Sequence, residues 1–163
     1  MKRTASLIIL TFLLTSITSI SSGQKSDLAG KWKLDISKST IAGEWPLLVG
    51  LTITIKGDSL LTYRTYQLND VQQYPFSEAL ALDNKEVSMT IYDMPRKIKA
   101  AWSDTEGVLQ FISTTTFYGN SGAEDFVSTE KWKVDKAAKT LSINFTNKTS
   151  AGEVPGVLVY NKE

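Results

Sequence analysis

The chain has no cysteine and no histidine in its 163 residues. Without them there is no thiol nucleophile, no Ser–His or Cys–His pair and no ligand set for tight zinc or copper binding. Disulfides are excluded as well, so packing and hydrogen bonds must stabilise the fold. Runs of one charge are also missing. Lys+Arg total 18 and Asp+Glu 17, and no basic stretch stands ready to neutralise phosphates, so nucleic acid is not an expected partner. Finally, no segment carries three turns of amphipathic helical period, which argues against a βαβ sheet.

Long apolar runs are scarce, and the longest is near the start. Lys2 and Arg3, then Leu7 to Leu14, then Ser21-Ser22-Gly23 follow the order of a secretory signal peptide: basic start, apolar middle, small residues for cleavage. Thr11, Thr15, Ser16, Thr18 and Ser19 dilute the segment, whereas spanning a bilayer takes about 20 predominantly apolar residues, so no membrane span is expected. Residues 1–23 therefore read as a leader and 24–163 as one exported domain, periplasmic or extracellular. Its formal charge is −1 once Lys2 and Arg3 are gone, and a monomer is expected.

Period-two alternation dominates the rest. Trp32, Leu34 and Ile36 alternate with Lys31, Lys33 and Asp35, which predicts an inward row of three. Similar runs follow at Leu51–Lys56, Ser59–Gln67, Tyr74–Leu82, Glu86–Tyr92, Lys97–Ser103, Val108–Thr116, Asp125–Val134, Thr140–Thr146 and Gly156–Tyr160. Gly57-Asp58, Asp83-Asn84, Asp93-Met94-Pro95 and Gly119 to Gly122 supply turn chemistry between them. About ten short strands with tight connections predict an all-β, antiparallel up-and-down barrel, since closure removes exposed edges. A flat sandwich is the alternative.

One connection is too long for a hairpin. Ser37 to Leu48 carries Trp45, Leu47 and Leu48, and most hairpin loops have two to five residues. Two readings stand: a plug that extends the core, or a lid over a ligand cavity, with Trp45, Leu47 and Leu48 as its contacts. Ile41 to Leu48 is the segment expected to cover the mouth, with Gly43 as a hinge and Pro46 restraining Trp45.

Gly30-Lys31-Trp32 resembles the Gly-x-Trp signature of lipocalins and their calycin relatives. The string Gly30 to Ser39 and the closing patterns Glu130 to Asp135 and Leu158 to Lys162 resemble small secreted bacterial lipocalin-like proteins. The resemblance implies that Gly30 and Trp32 close the barrel's base and that Lys162 is the basic residue packed on the Trp. Two family motifs are missing. There is no Thr-Asp-Tyr of the central lipocalin type and no Arg-x-Tyr carboxylate clamp near the end, so the resemblance speaks for the fold more than for the ligand.

Polar residues on inward faces are the remaining signal. Phe126, Ser128, Glu130, Trp132 and Val134 share one side of a strand, and Phe76, Glu78, Leu80 and Leu82 share one side of another. A carboxylate in such a row needs a partner. If Leu60, Thr62, Arg64 and Tyr66 face inward, Arg64 supplies one through two parallel hydrogen bonds. The pairing is either purely structural or reserved for a ligand head group. Arg64, Tyr66, Glu78, Met89, Trp102, Phe111 and Glu130 are the candidate ligand-binding residues, and the same apolar list would equally describe a filled core. Glu124-Asp125 and Asp104/Glu106 lack the dense oxygen spacing of a calcium loop, and nothing selects two carboxylates for glycoside hydrolysis. No catalytic residue, metal or cofactor is implied. Asn144 and Asn147 begin glycosylation-type triplets. The expected function is non-enzymatic binding of a small apolar or amphipathic molecule. The alternatives are a filled barrel that binds a protein or glycan on its outside, and a small barrel hydrolase or isomerase.

Overall fold

The computed structural model describes residues 25–41, 46–69, 71–119 and 122–163. The expected leader and Trp45 lie outside them. Among the described residues ten strands form one antiparallel sheet: β1 (Gly30–Leu34), β2 (Leu47–Lys56), β3 (Ser59–Leu68), β4 (Gln72–Ala81), β5 (Val87–Ile91), β6 (Met94–Ser103), β7 (Val108–Gly119), β8 (Gly122–Asp135), β9 (Thr140–Thr149) and β10 (Gly152–Lys162). Their order in the sheet is β4-β3-β2-β1-β10-β9-β8-β7-β6-β5. This is a nearly closed up-and-down barrel in which the first and last strands pair, with Trp32 opposite Lys162 and Leu34 opposite Tyr160.

Only the junction between β4 and β5 lacks a ladder. Side chains and single bonds close it instead. Asn84 N donates to Ala100 O at 2.9 Å, the Tyr92 hydroxyl donates to Pro75 O at 2.6 Å, and Arg96 on β6 reaches Glu78 on β4. Pro75 sits on this edge strand, the sheet position in which proline is tolerated.

Alternating connections give the barrel a base and a mouth. The Gly57-Asp58 turn and the chain end lie at the base; the β3–β4, β5–β6, β7–β8 and β9–β10 turns ring the mouth. The basal half is solid. Trp32, Ile53, Leu60, Ile98, Leu109, Trp132, Leu141 and Tyr160 are fully buried there. A helical turn before β1 drops Leu28 into the base, and Trp32 Nε1 donates to Leu28 O at 2.8 Å. The Lys162 ammonium lies 5.0 Å above the Trp32 ring. Its stem crosses Gly30, where an added Cβ would stand 2.8 Å from Lys162 Cε and φ is +137. Only glycine accepts both the dihedral and the contact.

Two local expectations need correction. Ile36 does not continue the inward row of Trp32 and Leu34. β1 ends at Leu34, and Ile36 opens a 3-10 turn (Ile36–Lys38) with 63% of its surface exposed. Asp35 causes the break: it accepts from Ser37 Oγ at 2.6 Å and Asn161 Nδ2 at 3.0 Å and pairs with Lys38. Those hydrogen bonds hold its carboxyl well below the ordinary range. Leu47 and Leu48, expected in a lid, are instead the first residues of β2, paired with Gln67 and Tyr66. The ladder takes up their backbone groups, and a bulge between Leu48 and Gly50 turns the strand there.

Candidate functional site

The half of the barrel toward the mouth is hollow. A cavity of about 410 Å³ lies there. Its walls are apolar and aromatic: Leu47 and Leu48 from β2, Phe76 from β4, Phe117 from β7, Phe126 from β8 and Phe145 from β9. Period two places the four phenylalanines, each on the same strand face as a buried side chain nearer the base: Phe76 with Glu78 and Leu80, Phe117 with Thr115, Phe126 with Ser128 and Glu130, and Phe145 with Ile143. Tyr66 stacks on Phe76 with centroids 5.7 Å apart, and Phe117 meets Phe126 edge-on at 6.1 Å.

Four buried charges make the floor. Arg64 from β3 crosses the interior to β8, where its Nη1 donates to Glu130 Oε1 at 3.0 Å and Oε2 at 3.2 Å. Its Nε lies 2.9 Å from Glu78 Oε2, an ion-pair contact outside hydrogen-bond alignment. Glu78 Oε1 in turn accepts from Arg96 Nε at 2.8 Å. Arg96 Nη1 donates to Thr115 Oγ1 at 2.8 Å, its direct cross-strand neighbour. Trp132 Nε1 completes the set by donating to Glu130 Oε2 at 2.6 Å.

The Arg64 guanidinium is wholly buried and lies 5.0 Å from the Trp132 ring centroid and 5.2 Å from that of Phe111. Burial opposes its charge, but the carboxylates of Glu130 and Glu78 outweigh that penalty and hold its pKa well above the ordinary value. The Tyr66 phenol is pushed upward by burial and so stays protonated through the neutral range.

The candidate residues separate by height in the barrel. Tyr66, Glu130, Leu47 and Leu48 line the cavity. Arg64 and Glu78, the deeper half of the floor, and Phe111 do not line the cavity; they lie fully buried behind Glu130 and Arg96 and support them. Met89 stands in register with Arg96 and packs against the core. Trp102 pairs with Leu109 near the base, with its indole N–H buried and unpartnered among the described residues. Trp32, Gly30 and Lys162 close the opposite end. Arg96 is the functional candidate that sequence reasoning missed, although the row Ile98, Ala100, Trp102 reaches it one step back along the same face. Asn147 was read only as part of a glycosylation-type triplet. It faces the cavity instead and accepts from Ser128 Oγ at 2.8 Å.

Among the described residues, no three or more acidic side chains gather closely enough to hold a metal ion. Chemically the site offers an apolar volume above a floor whose four charges sum to zero.

Gly156 on β10 keeps that volume open. A Cβ there would lie 2.3 Å from Phe145 Cζ and 2.9 Å from Thr40 O. Since the backbone oxygen cannot yield easily, Gly156→Ala is expected to swing Phe145 into the cavity. Overpacking of this kind costs about 1–3 kcal/mol, read in urea melts, together with weaker uptake of an apolar probe. An unchanged melt would mean that Phe145 has room elsewhere. Compared with protein-family models, curated proteins and solved structures, the chain matches none.

Proposed function

We propose that this chain is an exported, non-enzymatic carrier that holds one small apolar or amphipathic molecule in the mouth half of its barrel. The observation that carries the reading is a cavity of about 410 Å³ with mostly apolar and aromatic walls and a few polar side chains set among them. That size falls within the roughly 300–1,000 Å³ of ligand pockets, whose lining follows the same division. A barrel meant only to present its outer face gains nothing from a hollow core, because each void forfeits packing contacts. The Gly30, Trp32 and Lys162 cluster at the base agrees with the lipocalin-like resemblance of the two chain ends.

Native mass spectrometry of freshly purified protein tests the proposal. A co-purified small molecule at one per chain is expected, released on unfolding. A companion titration with an apolar fluorescent probe should saturate at one site. Leu158 lines the cavity, so Leu158→Trp should fill it and weaken probe binding at least about tenfold while leaving the far-ultraviolet dichroism unchanged. Absence of both a co-purified molecule and saturable probe binding would rule the carrier out.

A further inference from the structure

We propose that the cavity selects a molecule whose one polar end is an uncharged hydrogen-bond acceptor, such as an ester, ketone or alcohol oxygen. It rejects the carboxylate and the ammonium of the same apolar chain. This deepens the carrier reading and rests on it.

Charge balance is the first ground. Among the described residues, Arg96 and Glu130 are the charged ones that line the cavity, and both are already engaged. Arg96 holds Glu78 and Thr115. Both oxygens of Glu130 accept from Arg64 Nη1, and one also accepts from Trp132. The quartet Arg64, Glu78, Arg96 and Glu130 carries two charges of each sign and sums to zero. It is closed off below by the Phe111 and Trp132 rings, 4.6 Å apart, and all four charged side chains are more than nine-tenths buried. A ligand carboxylate set down on Arg96 would put three anions against two cations among side chains that are more than nine-tenths buried. An ammonium beside Glu130 would add a third cation next to the Arg64 guanidinium. Either leaves an uncompensated charge in an apolar surrounding, and that state is the costly one.

Spare hydrogen-bonding capacity is the second ground. Tyr66 accepts from Arg64 Nη1 at 3.4 Å and keeps its own proton to give. Thr115 accepts from Arg96, so its hydroxyl hydrogen is not consumed by that bond. Asn147 uses its oxygen on Ser128, which leaves its amide N–H groups to donate. These three residues from β3, β7 and β9 line the same cavity, and each offers a neutral donor. A neutral acceptor satisfies them without disturbing the ion pairs.

The test is competition against an apolar fluorescent probe on the purified protein. The series is an alcohol, a methyl ester, an alkane, a carboxylate and an amine of one chain length. At neutral pH the ester and alcohol are expected to bind at least about tenfold tighter than the carboxylate and the amine, and tighter than the alkane. Mild acidification through the ligand acid's own titration should raise the affinity of the carboxylic acid toward that of the ester, whose binding should not move. A carboxylate or amine that matches the ester at neutral pH overturns the inference while leaving the carrier reading intact. A series in which no member displaces the probe overturns both.

Discussion

Arg64→Met is expected to destabilise the protein by about 3–5 kcal/mol, the usual loss when one partner of a buried ion pair is removed. The loss does not come from an especially strong bond in the parent. Desolvating four charges consumes most of what their attraction returns, but removing Arg64 leaves Glu130 buried with only the Trp132 N–H. Glu78 suffers less, because Arg96 still holds its other oxygen. That asymmetry makes the prediction specific. Adding Glu130→Gln to Arg64→Met should recover a large part of the loss, since the amide keeps an acceptor for Trp132 and the remaining Arg96–Glu78 pair is neutral. Adding Glu78→Gln instead should recover little, because it strands Arg96 and Glu130, which are not in contact. Urea melts of these three variants together with the single substitutions Glu130→Gln and Glu78→Gln form the two double-mutant cycles. Coupling near zero in the Arg64–Glu130 cycle would refute the strut across the barrel.

Trp32→Ala should cost about 3–5 kcal/mol, as expected for a large aromatic removed from a core that cannot collapse. The indole is 2% exposed, and three groups depend on it. Leu28 O loses its only described side-chain donor. The Lys162 ammonium loses the ring face beneath it, and the β1–β10 pairing that closes the sheet runs directly through this residue. Because that pairing is short, the variant should also lose cooperativity in its melt, not stability alone. Lys162→Met keeps the stem over Gly30 and should cost far less, since an exposed ammonium over a ring contributes little. A loss under about 1 kcal/mol for Trp32→Ala would mean that the base is closed by other contacts.

Much of this architecture was legible in the chain. The ten strands were, because side-chain direction in a strand alternates residue by residue and one buried face writes that period into the sequence. The inward placement of Glu78 and Glu130 followed from their apolar neighbours two residues away. Closure of the base was suggested by Gly30, Trp32 and Lys162. Where the reading failed, a local hydrogen bond or a strand end decided the outcome. Asp35 turned Ile36 outward, β2 began early enough to take in Leu47 and Leu48, and β6 began three residues before Lys97 and so brought Arg96 inside.

The direction of β3 was undecided by pattern, because Leu61 and Tyr63 make its outer face nearly as apolar as its inner one. The ladder settled it. Pairing of Thr62 with Glu78 and of Arg64 with Phe76 puts the guanidinium inside, where it meets a carboxylate 66 residues further along the chain.

Whether the barrel is hollow could not be read at all. Alternation determines which side chains point inward, strand by strand, and that information is local. A cavity depends on the summed volume of side chains that reach the same height from strands distant in the sequence. Trp32, Trp132 and Phe111 fill the basal half; Phe76, Phe117, Phe126 and Phe145 lie along the upper wall and leave the middle open. The inward list is the same for a solid barrel and a hollow one, and only the register and tilt of all ten strands together determine where the space falls.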